Sequence, residues 1–320
     1  MHDKSDNERE KASEFVAEMN KPLGLMLEAY KHLLKGPCWE GSEMCHYTNL
    51  HGLIGIVENS ELWLSDHRFV NDPQEYVFGK EMAFRILNEQ LSCENDKRLT
   101  KLLYNTAKRL EEKTNEVFYI ACFSKTADSL DQWKAYGNSI DSVCLVFDND
   151  INKGREANLT DIPGVVPVEV FYDKDLQERS LTNTLQLFRT GFMEAKTDFE
   201  VLGHWVKSEW INTLSFIIEK HFIQFKDDAY RTEQEIRLVL SGVLVKNKST
   251  IRHRAGNGRI IPYLTTNYLR KQKAEFLPVK QVIIGPRCID DTLVTGIRTL
   301  LDNKGYQNVP VTRSKVQFRG

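Results

Sequence analysis

The sequence lacks the long apolar segments of a membrane protein. No uninterrupted run reaches the roughly 18 apolar residues that a membrane-spanning helix requires. The first residues, from Met1 to Asp6, are polar and do not contain the apolar core of a secretory signal peptide. We therefore expect a cytoplasmic protein without a membrane partner.

Cysteine is scarce, and the common metal and phosphate motifs are absent. The six cysteines of the chain form no Cys-x-x-Cys pair, and the eight histidines show no metal-ligand spacing. The sequence also contains no His-Glu-x-x-His, no Gly-x-x-x-x-Gly-Lys-Ser/Thr and no Gly-x-Gly-x-x-Gly. These absences favour buried thiols in a reducing compartment over a disulfide framework or a zinc site. They leave metalloenzyme, P-loop and Rossmann interpretations without a motif, and we expect no bound metal.

Neither sign of charge is in excess. The chain has 43 Lys and Arg residues against 45 Asp and Glu residues, a net charge of −2, and a hydrophobic fraction of 41%. This balance gives no overall attraction to nucleic acid or to an anionic membrane, although local basic patches remain open. There is no internal repeat and no long linker rich in Pro, Gly or Ser. Such a composition is ordinary for a globular protein.

The spacing of apolar residues predicts an α+β fold. Residues 1–40 are predicted to form a helical N-terminal lead, and residues 41–320 a single α+β domain. Within that domain, about 74–113 is predicted to form two charged helices. The pattern over about 175–225 is rich in Phe, Leu, Ile and Trp and indicates a helical insertion on one side of the sheet. The predicted strands span about 43–48, 61–65, 117–124, 142–148, 165–172, 236–240, 282–285 and 309–312.

His46 and Thr48 stand two residues apart on the first predicted strand, so their side chains should point to the same face. A ribose diol needs paired hydrogen-bond donors and acceptors, and such a pair can supply them. The alternative is a strand at the edge of the core that carries a hydrogen-bonded histidine.

Ser124 ends a predicted strand and is followed by a helix that carries Trp133 and Tyr136. A serine at a strand end can order a cleft, and an aromatic ring from the next segment can stack on a flat nicotinamide. The alternative is a helix-capping serine with both aromatic rings in the core. Because the two aromatics are three residues apart, a shared core face is equally natural.

Glu233, Glu235 and Arg237 alternate with aliphatic residues at the start of a predicted strand. Period-two alternation would place both carboxylates and the guanidinium on one face. Two neighbouring carboxylates at a cleft are costly unless they receive hydrogen bonds or positive charge. A positively charged sugar intermediate with a free 2′-hydroxyl would supply both. The alternative is a solvated strand face on which Arg237 pairs with a glutamate at little gain.

The order of these segments resembles the ADP-ribosyltransferase superfamily and, over more of the chain, a widespread bacterial family of uncharacterised function. The latter shares a His-Tyr-Thr start, an Asn-Asp-Pro-x-Glu turn, a Phe-Ser strand, a Trp-x-x-Tyr helix, a Glu-x-Glu-x-Arg strand and a closing Ile-x-Gly-Pro. Here these segments are His46–Thr48, Asn71–Glu75, Phe123–Ser124, Trp133–Tyr136, Glu233–Arg237 and Ile283–Pro286.

Two segments resemble poly-ADP-ribose polymerases in more detail. Cys45–Leu50 is similar to their His-Gly-Ser segment, and Phe123–Asp128 to their Ser-Lys-Ser-Ala-Asn segment. Tyr47 stands where those proteins have glycine. No tyrosine follows Ser124 at the usual short distance, so the resemblance assigns the nicotinamide-stacking role to Trp133 or Tyr136.

The resemblance implies a split mixed β-sheet and an enzyme that uses NAD as a substrate, bound in a cleft between the two halves of that sheet. His46 and Thr48 would hold a ribose, and Ser124 would shape the nicotinamide pocket. Glu235 would stabilise the oxocarbenium-like transition state, and Glu233 would orient or deprotonate the acceptor. The acceptor would be a protein, a nucleic acid or water. A bacterial toxin or phage-defence effector with an inhibitory partner is the implied setting.

A non-catalytic module on the same fold is the second hypothesis. It would bind a nucleotide, a nucleic acid or a protein. The candidate surfaces are a basic hairpin over 252–259 and an aromatic helical region. That region contains Trp205, Trp210, Phe216 and Phe222. The alternative interpretation of the hairpin is an ordinary charged hairpin tip.

Overall fold

The computed structural model describes residues 24, 43–70, 74–112, 117–136, 140–148, 162, 164–194, 203–245, 247–256, 258–269 and 276–317. The predicted N-terminal lead, residue 24 apart, lies outside these residues, as do the Asn71–Pro73 turn and Asn257. The chain forms two compact units. The helical unit comprises Met1–Cys38, Gln74–Asn115 and Phe171–Asp228, and the sheet unit comprises Trp39–Pro73, Glu116–Val170 and Ala229–Gly320.

The described strands are β1 (Glu43–Asn49), β2 (Trp63–Asp66), β3 (Phe118–Ser124), β4 (Ser142–Asp148), β5 (Val165–Glu169), β6 (Glu235–Ser241), β7 (Arg252–Gly256), β8 (Arg259–Thr265), β9 (Val279–Ile284) and β10 (Val311–Arg313). The described α-helices are α1 (Leu50–Asn59), α2 (Gln74–Cys93), α3 (Lys97–Glu112), α4 (Leu130–Tyr136), α5 (Lys174–Glu194), α6 (Gly203–Gln224), α7 (Thr266–Leu269) and α8 (Thr292–Asn303). None of these helices is long and apolar enough to cross a membrane.

All ten strands belong to one mixed sheet in the sheet unit. The order is β10-β9-β4-β1-β3-β2-β8-β7, and β6 pairs with both β3 and β5. The β9–β10 pair is parallel, whereas the other pairs are antiparallel. This mixed α+β architecture confirms the predicted fold class in its coarse form.

The sheet is nearly divided where β1 meets β3. These two strands share the single register pair Cys45↔Ser124, whereas β1 pairs with β4 along its whole length from Glu43 to Asn49. Likewise β3 pairs with β6 from Phe118 to Ser124. One group of strands, β10-β9-β4-β1, is therefore joined to the rest of the sheet mainly at one point.

Period-two alternation explains why these segments become strands with one strongly apolar face. In β6, for example, Ile236, Leu238 and Leu240 enter the main core while Glu235 and Arg237 face the other way. Helix α1 packs Leu53, Ile56 and Val57 into the same core. Other members of this core include Met44, Leu64, Tyr119, Phe123, Leu145, Phe147, Leu264, Val282 and Ile284.

The helical unit has its own core, built from α2, α3, α5 and α6. Trp210 meets the rings of Phe188 and Phe192 edge-on at 6.3 and 5.2 Å. Helices α2 and α6 approach closely at Gly79, where a Cβ atom would lie 2.6 Å from Phe222 Cα. Only glycine permits this approach, because any side chain would meet backbone. The helices predicted over about 74–113 and 175–225 thus contribute to one compact unit.

Candidate functional site

Three of the predicted site residues lie on adjacent strands where the sheet divides. Cys45 of β1 pairs with Ser124 of β3, and Ser124 pairs with Glu235 of β6. The serine strand therefore lies between the histidine strand and the glutamate strand. We call Cys45, His46, Ser124, Glu233 and Glu235 the strand junction.

His46 occupies a break in strand pairing. One edge of β3 is paired by β6, and the other edge meets β2 at Tyr119 and Ile120 and then β1 at Ser124. Between these points His46 Nδ1 lies 3.0 Å from the Cys122 carbonyl oxygen. Because a carbonyl only accepts, Nδ1 must carry the proton, and Nε2 of the neutral ring is left as an acceptor.

The environment of His46 favours that neutral ring. Burial is the main cause that lowers its pKa, the hydrogen bond to the Cys122 carbonyl opposes the shift, and the positive charge of Arg254 lowers it further. The ring lies 5.5 Å from that of Phe123. At neutral pH the side chain is therefore an uncharged, oriented imidazole.

Thr48 shares the His46 face of β1, as the two-residue spacing predicts. It pairs with Val143, and its hydroxyl packs against the first turn of α1: a Cβ at Gly52 would lie 2.1 Å from Thr48 Oγ1. Paired residues of antiparallel strands share a face, so the Cys45↔Ser124 pair assigns His46 and Thr48 to the face opposite Ser124 and Glu235. The strand junction thus carries polar side chains on both faces of the sheet at the point where the sheet divides.

Ser124 is buried, and its hydroxyl is bonded to backbone. Ser124 Oγ donates to the Glu233 carbonyl at 2.9 Å and accepts from the Thr126 amide at 3.2 Å. Gln132 of α4 donates to the same Glu233 carbonyl at 3.0 Å. These bonds fix the end of β3 against the turn that precedes β6, so the serine shapes this part of the site.

Glu233 and Glu235 do not lie on one strand, and the predicted alternation is wrong at its first residue. Glu233 ends a 3₁₀ helix, Asp228–Glu233, and the strand begins only at Glu235. Gln234 between them has a φ of 45°. That left-handed conformation turns the chain and removes Glu233 from the extended backbone.

Glu235 and Arg237 form a buried ion pair. Arg237 donates through Nε to Glu235 Oε1 at 2.7 Å and through a terminal nitrogen to Oε2 at 2.8 Å. The glutamate is 6% exposed and the arginine 2% exposed. The pairing of Arg237 with a glutamate was one open alternative, but the pair is buried rather than solvated. Its bidentate geometry holds the carboxylate plane in one orientation.

The two aromatic residues of α4 have different environments. Trp133 is 0% exposed, donates from Nε1 to Asp128 Oδ1 at 2.7 Å, and packs with Cys45, Cys144 and other residues of a small core. Tyr136 is 38% exposed, and its hydroxyl lies 3.5 Å from Glu233 Oε1. Of the two rings, only that of Tyr136 is open to a ligand.

Tyr47 fixes the loop that follows Ser124, a role that the sequence did not indicate. Its hydroxyl donates to the Thr126 carbonyl and accepts from the Ser129 amide, both at 2.9 Å. Burial raises the pKa of the Tyr47 hydroxyl, which therefore remains a donor. The Asp128 carboxylate of this loop also accepts from the Lys315 amide at 2.8 Å. The loop is thus held from β1 and from the C-terminal segment.

The comparisons with known proteins find a family match over part of the chain. Residues 132–238 match the family model described as "Protein of unknown function (DUF2971)". The matched region contains Trp133, Tyr136, Glu233 and Glu235 but not β1 or β3, and it confirms the expected family of uncharacterised function. No curated protein and no solved structure matches the chain. Within the described residues, no group of three or more His, Cys, Asp or Glu is arranged to hold a metal ion.

Proposed function

We propose that this protein is an NAD-consuming enzyme of the ADP-ribosyltransferase type, which cleaves the nicotinamide–ribose bond of NAD. One observation carries the proposal: the strands of His46, Ser124 and Glu235 are adjacent and meet where the sheet divides. These three residues are 78 and 111 positions apart along the chain. Their strands converge at a division of the sheet, as the resemblance to split-sheet transferases requires, and a substrate that reaches His46 on one face and Glu235 on the other would have to lie in that division.

Cleavage of the glycosidic bond places positive charge on the ribose as nicotinamide leaves. In the proposed mechanism, Glu235 accepts a hydrogen bond from the ribose 2′-hydroxyl and stabilises this charge. Each carboxylate oxygen has two lone pairs, so the bond that each oxygen accepts from Arg237 does not by itself use up its acceptor capacity. Arg237 acts as a positioning residue, because it holds the carboxylate in a fixed plane. Preorganised stabilisation of this kind is worth roughly 3–4 kcal/mol.

The remaining residues would bind and orient the substrate. His46 would accept from a ribose hydroxyl through Nε2, since Nδ1 is bonded to Cys122, and Thr48 would assist from the same face of β1. Ser124 would shape the nicotinamide pocket from its fixed position, and Tyr136 would stack on the nicotinamide ring. Trp133 would support the site from the core beneath it. Glu233, beside the Tyr136 hydroxyl, would orient or deprotonate the acceptor.

The test is release of nicotinamide from NAD by the purified protein. We expect Glu235→Gln to lower the rate by about 10²–10³. Glu58→Gln, which changes an exposed carboxylate of α1 in the same unit, serves as the matched control and should leave the rate unchanged. Folding of each variant is checked by circular dichroism. A folded Glu235→Gln protein with the wild-type rate would exclude the mechanism.

The acceptor is identified by incubation of the protein with radiolabelled NAD and cell lysate. Label on protein or on nucleic acid would establish a transferase and its acceptor class, whereas free ADP-ribose alone would establish an NAD glycohydrolase. If the protein acts as a toxin or a phage-defence effector, expression of the wild type but not of Glu235→Gln should arrest growth. That setting rests on the resemblance alone.

Polar groups of the strand junction already have hydrogen-bond partners within the protein. This favours a second candidate, a non-catalytic nucleotide-binding module. Both oxygens of Glu235 already accept from Arg237, and the Ser124 hydroxyl is bonded to backbone. Such a module would bind NAD or ADP-ribose without releasing nicotinamide. Calorimetric titration beside the turnover assay distinguishes the two candidates.

A further inference from the structure

Arg254 on β7 is a partly buried guanidinium without a counterion among the described residues. Its terminal nitrogen donates to Ser65 Oγ at 3.2 Å, while Nε is buried and has no hydrogen-bond partner in the part of the chain that the structure describes. No carboxylate of the described residues lies within ion-pair distance of it. Burial lowers its pKa, and the nearby Tyr263 acts in the opposite direction. This differs from the solvated hairpin tip that the sequence suggests.

The neighbouring arginine of the same strand has the ordinary surface environment. Arg252 lies two residues away, on the same face of β7, and its side chain is 60% exposed. It also has a carboxylate partner, because its terminal nitrogen lies 3.6 Å from Glu61 Oε1. The two arginines of this short strand therefore differ in two properties that affect anion binding. Arg254 is partly removed from water, and only Arg252 has a described carboxylate that neutralises its charge.

A partly desolvated charge without a partner is unfavourable, and proteins normally pair such groups. An anionic ligand would remove this cost. The planar guanidinium suits phosphate in particular, because its donors can form two parallel bonds to phosphate oxygens. The Nε donor and a terminal nitrogen lie on one edge of the guanidinium and form such a fork. In Arg254 the Nε donor is uncommitted.

The surroundings of Arg254 are aromatic. Its guanidinium carbon lies 6.0 Å from the centre of the Trp63 ring, which is itself 4.5 Å from the ring of Tyr263. Trp63 is 38% exposed. Arg254 is also close enough for its charge to act on His46. We call Trp63, Ser65, Arg254 and Tyr263 the hairpin corner.

We propose that the hairpin corner binds the diphosphate of a nucleotide, with Arg254 as its anchor and Ser65 as the hydroxyl that orients the guanidinium. Aromatic surface beside a phosphate-binding fork matches the two chemistries of a nucleotide, a flat base and an anionic phosphate. The identity of the nucleotide rests on the proposed function: if His46 holds a ribose of NAD, the diphosphate attached to that ribose lies next to it. The phosphate chemistry rests on the corner itself.

The test is calorimetric titration of the full chain with ADP-ribose and, separately, with inorganic pyrophosphate. We expect Arg254→Gln to weaken the binding of both probes by about ten- to hundredfold, because hydrogen bonds to charged groups are lost. Arg252→Gln removes the same charge from the same strand and should change the affinity by no more than about twofold. Equal effects of the two variants would indicate general charge attraction and would overturn the proposal.

A second variant and a third probe complete the test. Arg254→Lys keeps the charge but lacks the planar fork, so it should bind more weakly than the wild type and replaces Arg254→Gln if the latter fails to fold. A lysine variant that binds as well as the wild type would exclude the fork. A single-stranded oligonucleotide that binds more tightly than ADP-ribose would overturn the proposal, because it would show that the hairpin corner binds nucleic acid.

The outcome is separable from that of the proposed function. Binding that depends on Arg254 without release of nicotinamide would support the corner and refute the enzyme. Release of nicotinamide at the wild-type rate and affinity in Arg254→Gln would refute the corner and leave the enzyme intact. As an independent readout, pyrophosphate should shift the NMR signals of the His46 ring in the wild type but not in Arg254→Gln.

Discussion

The sheet unit buries both members of the Glu235–Arg237 ion pair, whereas the helical unit buries His221, Gln224 and Trp210 with polar atoms that have no described partner. His221 is bonded through Nε2 to Thr184 Oγ1 at 3.0 Å, but its Nδ1 is not bonded to any described residue. The interior of the sheet unit thus contains a fully buried pair of neutralised charges. His221, Gln224 and Trp210 are uncharged, and the buried carboxylate of Glu94 in the helical unit lies 2.7 Å from the partly exposed guanidinium of Arg189.

The largest effect on stability is expected when one member of the buried Glu235–Arg237 ion pair is removed. Glu235→Gln leaves the Arg237 charge buried without its carboxylate, and we expect it to lower the free energy of unfolding by about 3–5 kcal/mol. The double variant Glu235→Gln/Arg237→Met removes both charges and should recover most of this loss in urea denaturation. If the proposed mechanism holds, nicotinamide release should not recover, because the carboxylate proposed to be catalytic is still missing. Recovery of both properties would assign Glu235 a structural role only.

Acid should act on the helical unit through His221. Burial lowers the pKa of His221 to about 3, from 6.5 in an exposed side chain. Below pH 6.5 the unfolded chain takes up a proton that the folded protein does not, so stability falls as the pH decreases towards about 3. We expect this residue alone to remove about 2 kcal/mol between pH 6.5 and about pH 5, at roughly 1.4 kcal/mol per unit of pKa shift.

His67 in the sheet unit requires a control for this experiment, because burial also lowers its pKa, to about 4. The measurement is therefore the difference in unfolding free energy between the wild type and His221→Gln across this pH range. The difference should decrease as the pH falls. A difference that stays constant would mean that His221 is protonated in the folded protein.

A smaller effect is expected at the start of α1 in the sheet unit. Asn49 Oδ1 accepts from the Gly52 amide at 2.9 Å and caps the helix that packs Leu53 into the main core. Asn49→Ala should lower the free energy of unfolding by about 1 kcal/mol, while Asn49→Ser should retain most of it. Equal losses in both variants would show that the capping bond contributes nothing.

At the surface the two units should behave alike. Lys108 pairs with Glu112 in the helical unit, and Lys280 pairs with Glu43 in the sheet unit. Lys108→Gln and Lys280→Gln should each change the unfolding free energy by at most about 0.5 kcal/mol, because exposed pairs gain little in water. A markedly larger loss in one of them would show that the contrast between the units extends beyond their interiors.

Much of the fold follows from the sequence, and the errors have identifiable causes. The predicted strand over 142–148 coincides with β4, and β7 and β8 form the hairpin predicted over 252–259. The strand predicted from Glu233 begins instead at Glu235, because Gln234 adopts a left-handed conformation that the alternating pattern does not record. The pattern over about 165–172 likewise extends beyond β5, which ends at Glu169.

The sequence did not predict how the candidate site residues are arranged. Trp133 and Tyr136 are three residues apart on one helix, yet one ring is buried and the other is exposed. That difference depends on which strand lies beneath α4. In the same way, the single pair Cys45↔Ser124 decides that His46 and Ser124 occupy opposite faces.

The sequence by itself determined the local periodicities: which segments are strands, that His46 and Thr48 share a face, and that Glu235 and Arg237 can meet two residues apart. These are properties of a backbone whose side chains alternate, so neighbours along the chain suffice to specify them. Tertiary structure alone decided that β3 lies between β1 and β6 and that the Glu235–Arg237 pair is buried. It also decided that Arg252 has a carboxylate partner whereas Arg254 has none among the described residues. Burial and cross-strand register arise from contacts between distant segments, and no local pattern encodes them.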